Sequence, residues 1–301
     1  MDEIKLEGYM KAGRALARTR EKVKSWVRPN LKYTELVRLV EEDLVNQGVK
    51  PSFPTNIDVN DVAAHYTPGL DDHLVIPEAS IVKVDLGSHL DGLIADSAIT
   101  VSLSKELDEL VTAAEEALSA ALKVVAPGVR INEVGRVVEK VLDSYGLQPI
   151  SNLTGHSIGY YELHGDVSIP NVYVDWDLGR FQLDGVYAIE PFVTFQGRPA
   201  RVVDSVPGGI YIVKKSRRIK DEDAARLLAE INARFKGLPF AERWLTDVLP
   251  RPRLEAALRK LISEGILYEY ATLVEVGSRP VAQAEHTFIV TKDGPLVTTI
   301  V

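Results

Sequence analysis

The chain has 301 residues, 46% of them hydrophobic and 26% charged, which is enough apolar material for a substantial core and for one large domain or two. Its formal net charge of -8 argues against a protein built to coat nucleic acid. The absence of cysteine excludes disulfides, thiolate zinc sites and cysteine nucleophiles.

The opening segment, MDEIKLEGYMKAGRALARTR, is amphipathic and lacks the apolar centre of a signal peptide. No stretch approaches the roughly 18 apolar residues of a membrane span. A soluble, cytoplasmic protein with no membrane contact is expected. Amphipathic helices are predicted over 5–26, 33–47, 105–125 and 131–145. In the third, Leu107, Leu110, Val111, Ala114, Leu118, Ala121, Leu122 and Val125 recur at three- and four-residue steps and form one apolar stripe. Ser104 is placed to cap it, and Pro127-Gly128 to stop the chain continuing as helix.

The segment Pro29–Gly48, shifted by 98 residues, falls on Pro127–Gly146 with seven of 20 positions identical. This suggests a duplicated half, each copy a helix pair followed by strands, with a ligand site between the two. Residues 81–87 and 92–101 read as a hairpin turning at Leu90-Asp91-Gly92, and 186–195, 271–276 and 286–291 as further strands. Between them, over 203–269, three helical stretches (DEDAARLLAEINARF, AERWLTDVL and RLEAALRKLISEG) suggest a small inserted module.

Acidic residues interrupt these apolar strands. With the hairpin centred between Leu90 and Asp91, Asp85 and Asp96 become direct cross-strand neighbours, about 5 Å apart at Cβ. Two carboxylates held together in a core repel and are costly to bury, unless a cation lies between them. His156 in LTGHSIG, Glu190 in YAIEPFV and Glu285 in AQAEHTF have similar surroundings. Four carboxylates and one imidazole make a hard, oxygen-rich donor set that suits Mn, Fe(II), Co or Zn. Two divalent ions balance four carboxylates, whereas one leaves an excess negative charge that is expensive to bury.

The order Asp, Asp eleven residues on, His, Glu, Glu resembles the metal set of the "pita-bread" metallopeptidases, which include methionine aminopeptidases, aminopeptidase P and prolidase. The strings SFPTNIDVNDVAAHYTPG (52–69), VKVDLGSHLDGLIADSA, LTGHSIGYYELH and QAEHTF resemble type 2 methionine aminopeptidases in particular. So does the interval of 95 residues between Glu190 and Glu285, which accommodates the insertion that type 1 enzymes lack.

The resemblance implies an α+β pita-bread fold with a pseudo-twofold repeat. Residues 1–202 and 270–301 would form the catalytic domain, and 203–269 a helical, winged-helix-like insertion. It implies metal ligation by Asp85, Asp96, His156, Glu190 and Glu285, with two divalent ions (Co, Mn, Fe(II), Ni or Zn). It makes Glu190 a general base and His65 and His164 substrate-contacting catalytic residues, and it puts Phe53 in the wall of the side-chain pocket. The activity implied is removal of the initiator methionine before a small second residue, by attack of a bridging hydroxide on the first peptide bond. The partners implied are nascent polypeptide N-termini, on a monomeric enzyme with no specific nucleic-acid ligand. X-Pro-cleaving enzymes of the same fold share the five ligands. The basic run KKSRRIK (214–220) is a solvated face or a transient ribosome contact.

Overall fold

The computed structural model describes residues 1–197, 199–215 and 217–301. Two helices open the chain, α1 (Glu3–Trp26) and α2 (Tyr33–Asn46). Short strands β1 (Lys50–Pro51), β2 (Asn56–Val59) and β3 (Val62–Ala64) lead into a long hairpin, β4 (Ile81–Leu90) and β5 (Leu93–Ser102). A second helix pair follows, α3 (Asp108–Lys123) and α4 (Asn132–Ser144). After it come β6 (Leu147–Pro149), β7 (Thr154–Ser157), β8 (Ser168–Pro170), β9 (Val186–Ile189) and β10 (Phe192–Phe195). Strand β11 (Val202–Val213) precedes α5 (Glu222–Phe235), β12 (Phe240–Ala241) and α6 (Arg251–Ser263). The chain closes through β13 (Leu267–Glu275), β14 (Val281–Gln283), β15 (His286–Thr291) and β16 (Gly294–Val297). Among the described residues, no helix is long and apolar enough to cross a membrane.

The repeat seen in the sequence is present in the backbone. Helices α2 and α4 end 98 residues apart, at Asn46 and Ser144, and each is followed by a glycine in the left-handed region, Gly48 and Gly146. Strands β2 and β7 are also 98 residues apart at both ends. In the first half β4 pairs with β2 and β5; in the second half β9 pairs with β7 and β15. Each helix pair covers its own apolar cluster. Leu16, Leu36, Val40, Val84 and Leu86 belong to one, and Leu110, Leu118, Val138, Tyr187 and Phe288 to the other. A third cluster, including Leu227, Ile231, Phe240, Leu254 and Leu261, lies within the segment that joins β11 to β13.

Four expectations from the sequence are corrected. The hairpin turns on Asp91-Gly92, not on Leu90-Asp91. Both residues have positive φ (48° and 89°), as a two-residue primed turn requires, and Leu90 faces Leu93. Asp85 therefore faces Ala98 and Asp96 faces Gly87. The two aspartates are diagonal neighbours rather than directly opposite. Because the register differs by two residues, they stay on the same face of the sheet.

The predicted strand 186–195 breaks at Glu190-Pro191. Proline has no N–H to give to a ladder, and β10 leaves β9 to pair with β6 and β14. Ser104 caps no α-helix. A 3-10 turn (Lys105–Leu107) intervenes, and the Ser104 hydroxyl bonds the Glu106 carboxylate instead. The stretch AERWLTDVL is a 3-10 turn (Glu242–Leu245), not a helix. Its side chains are committed elsewhere: Trp244 Nε1 donates to Glu41 on α2 at 2.8 Å, and Arg243 bonds both Glu41 and Thr67.

Candidate metal centre

Five groups from the two halves converge where the sheets meet. Asp85 comes from β4, Asp96 from β5 and His156 from β7, whereas Glu190 follows β9 and Glu285 precedes β15. The last β9–β15 pair is Ile189 with His286, so the next step along that ladder sets Glu190 beside Glu285. The direct acidic pairing that the sequence suggested for the two aspartates thus occurs between the two glutamates.

Ligand atoms of Asp96, His156 and Glu285 all lie within 4.8 Å of one another. His156 Nε2 stands 3.5 Å from Asp96 Oδ2 and 3.7 Å from Glu190 Oε1. Asp96, His156 and Glu285 are buried, whereas Asp85 and Glu190 are half-buried, and all five line one cavity. Desolvation and mutual repulsion raise the carboxyl pKa of Asp85, Glu190 and Glu285 well above the usual range. The Oδ1 atoms of Asp85 and Asp96 are buried with no hydrogen-bond partner in the protein. Buried oxygens without donors, on carboxyls that repel each other, are what a cation site presents before its cation. The donor set fits divalent metal.

The sequence reading missed Gln283. Its Nε2 lies 3.4 Å from Asp85 Oδ2, Glu190 Oε2 and Glu285 Oε2, so one amide serves three carboxylates. A signal was available: Gln283 is a polar residue in the apolar run VAQAE, two residues before Glu285 and so on the same strand face. Asn56, which faces Asp85 across β2–β4, was also missed and is buried.

The cavity holding these groups has a volume of about 350 Å³. Phe53, Leu163, Phe192 and Tyr270 supply apolar wall, and His65 and His164 line it as well. Gly87 makes room for the Phe53 ring, since a Cβ there would lie 2.2 Å from Phe53 Cε1. His164 packs edge-to-face on His156, with centroids 4.5 Å apart, and His65 packs on Tyr270 at 5.3 Å. Burial lowers the His65 imidazole pKa to about 4. Burial, with His156 and His65 nearby, holds His164 well below the ordinary value. Both rings are neutral at pH 7, so each can donate one N–H and accept at the other nitrogen. His65 has a φ of 71°, unusual for a residue with a side chain. Its backbone oxygen packs against Gly208, where a Cβ would come within 2.0 Å. Strand β11 thereby holds His65 in place.

A larger cleft, of about 870 Å³, lies between α2 and α5 but contains none of the five clustered groups. The smaller cavity is the candidate site because the uncompensated charge is there.

Comparison with known proteins agrees with this geometry. Residues 7–292 match metallopeptidase family M24. The chain belongs to that family. It is 42% identical to a methionine aminopeptidase of Thermococcus onnurineus (strain NA1) over 299 residues, which cover 99% of this chain and 100% of the relative. Among solved structures, methionine aminopeptidase from Thermotoga maritima matches with a TM-score of 0.71 at 25% identity, covering 100% of this chain and 98% of that one. A thermophilic Arx1 matches with a TM-score of 0.85 at 15% identity, covering 99% and 91%, which is a likeness of fold alone. Helices and sheets are mixed in this pita-bread fold, and the described residues include a buried Asp/His/Glu cluster that could hold metal.

Proposed function

We propose that this chain is a type 2 methionine aminopeptidase that removes the initiator methionine from nascent polypeptides with a small second residue. The observation that carries the reading is the five-group cluster lining a cavity of about 350 Å³ whose other walls, Phe53, Leu163, Phe192 and Tyr270, are apolar. Full-length identity to methionine aminopeptidases supports methionine as the residue removed.

Asp85, Asp96, His156, Glu190 and Glu285 would hold two divalent ions, with Co, Mn, Fe(II), Ni and Zn all compatible with the donor set. Bound there, such ions supply an acidified water and polarise the scissile carbonyl. The protein's own groups do the rest. Glu190 accepts a proton from the attacking water and returns it to the leaving amine. His164 donates to the carbonyl oxygen as charge develops on it, and His65 bonds the scissile amide. Phe53 forms part of the wall for the methionine side chain, whose flexible thioether suits an apolar pocket.

The apolar cluster between β11 and β13 supports reading 203–269 as an insertion carried by a catalytic domain of 1–202 and 270–301. We place the enzyme in the cytoplasm as a monomer, with the basic run 214–220 as a solvated face or a transient ribosome contact. In that run Arg217 pairs with Glu264 at 3.4 Å, and Ser216 lies outside the described residues.

The test is release of the first residue from Met-Ala-Ser, Met-Pro and Ala-Pro peptides by metal-stripped protein with single divalent metals added back. Metal-dependent release of Met from Met-Ala-Ser is expected. Cleavage confined to X-Pro peptides, or no cleavage with metal bound, overturns the reading.

A further inference from the structure

Glu285 lines two cavities. One is the site just described; the other is a groove of about 460 Å³ between α1 and α3. Arg20 lies in that second groove. It falls on the inward stripe of α1 with Ala12, Leu16 and Val23, and is only 9% exposed. A guanidinium this buried needs a reason.

Its nearest carboxylate is that of Glu21, 3.8 Å from Nη2, and its other contacts lead to the strand segments that carry Asp96 and Glu285. Arg20 Nη1 donates to Ser97 Oγ at 2.6 Å and to His286 Nδ1 at 3.0 Å. Arginine cannot accept, so His286 Nδ1 is an acceptor; the Thr299 hydroxyl stands 2.8 Å from the same nitrogen. Ser97 and His286 are the chain neighbours of Asp96 and Glu285. Ser97 Oγ also donates to the Glu285 carbonyl at 2.7 Å. The Thr287 hydroxyl and the Asp96 backbone exchange two bonds of 2.8 Å. Strands β5 and β15 are thus laced together beside Asp96 and Glu285, and the lacing ends on a buried positive charge. Lys83, also buried, is turned instead to the carbonyls of Asn60 and Val281.

We propose that Arg20 is the resident counter-charge of the metal centre: it holds the carboxylate set together in the metal-free protein and weakens the centre's affinity for divalent cations. This rests on the metal-centre reading above. The electrostatic reason is direct. Four clustered carboxylates attract a nearby guanidinium strongly, and the same carboxylates neutralised by cations attract it little. Arg20 is therefore worth more before loading than after it, and by linkage its removal must tighten cation binding.

The experiment compares wild type, Arg20→Met and Arg20→Lys, metal-stripped and with Mn(II) added. It reads thermal midpoints and calorimetric Mn(II) affinity rather than peptidase activity. Arg20→Met is expected to melt lower than wild type when stripped, to gain more from Mn(II), and to bind Mn(II) about tenfold more tightly. Arg20→Lys keeps the charge but loses the fork of hydrogen bonds; it should melt lower yet bind Mn(II) within about twofold of wild type. Equal losses with and without metal in Arg20→Met, or weaker Mn(II) binding, overturn the proposal in favour of a purely structural arginine. If Arg20→Met does not fold, Arg20→Gln takes its place: tighter Mn(II) binding supports the proposal, and unchanged or weaker binding overturns it. Wild type that binds no Mn(II) at all overturns the metal-centre reading itself.

Discussion

The two halves of the molecule share a layout but deliver their acidic groups differently. The first half supplies Asp85 and Asp96 from one hairpin, eleven residues apart in the chain and joined by a two-residue turn. The second half supplies Glu190 and Glu285, 95 residues apart, from two strand ends that meet only because β9 pairs with β15. Yet the glutamates are the direct neighbours and the aspartates the diagonal ones. Local proximity in sequence is therefore no guide to which pair lies directly opposite in register. A turn residue moves the register of a hairpin by two, whereas a ladder between distant strands is set by packing across the whole sheet.

If the halves contribute to one centre, damage to either should be equally severe. Asp96→Ala and Glu285→Ala are each expected to reduce metal-dependent methionine release by roughly a thousandfold or more while helical circular dichroism is retained. A large loss in one with near-normal turnover in the other would break the equivalence.

The pH dependence of metal stabilisation sharpens the same comparison. Asp85 from the first half and Glu190 and Glu285 from the second all have folded pKa values raised above their unfolded ones. The stability tied to their protonation is complete below the unfolded carboxylate range, about 4, and is lost as pH rises through the raised folded values. Cations substitute for those protons. The gain in thermal midpoint on adding Mn(II) should therefore grow by several degrees between about pH 5 and about pH 8. A gain that is flat with pH would mean that the carboxyls are already ionised in the metal-free protein.

A smaller effect separates the two routes to the site. Gly92→Ala places a side chain at φ 89° and within 2.3 Å of the Tyr161 ring. It should cost about 1–3 kcal/mol in chemical denaturation, by straining the hairpin that aligns the aspartates. The glutamate ladder should be untouched, so Mn(II) affinity is expected to fall less than it does in Asp96→Ala. Smallest of all, Ser104→Ala should change stability by less than about 0.5 kcal/mol, because the hydroxyl caps no helix end. A loss of about 1 kcal/mol, as for a true N-cap, would restore the capping role that the structure denies it.

The five clustered residues, the helix pairs and the repeat were legible in the chain because each leaves a local mark. An acid in an apolar strand, a stripe at helical spacing, and a proline-to-glycine segment recurring after 98 residues all survive without coordinates. The register parity of Asp85 and Asp96 was legible too, since any even shift keeps both on one face. What the chain alone left undecided depends on which distant surfaces meet. Gln283 marks itself in the chain only as a polar residue in an apolar run, and Arg20 not at all, until three carboxylates surround the one and Ser97 and His286 receive the other. The 3-10 turn at Glu242–Leu245 likewise depends on a distant partner, Glu41 on α2, which only the folded surfaces bring to Trp244 and Arg243. Periodicity and turn chemistry act over a few residues and can be read from sequence. The meeting of Glu190 with Glu285, and the charge behind them, is decided by long-range packing, which only the tertiary structure contains.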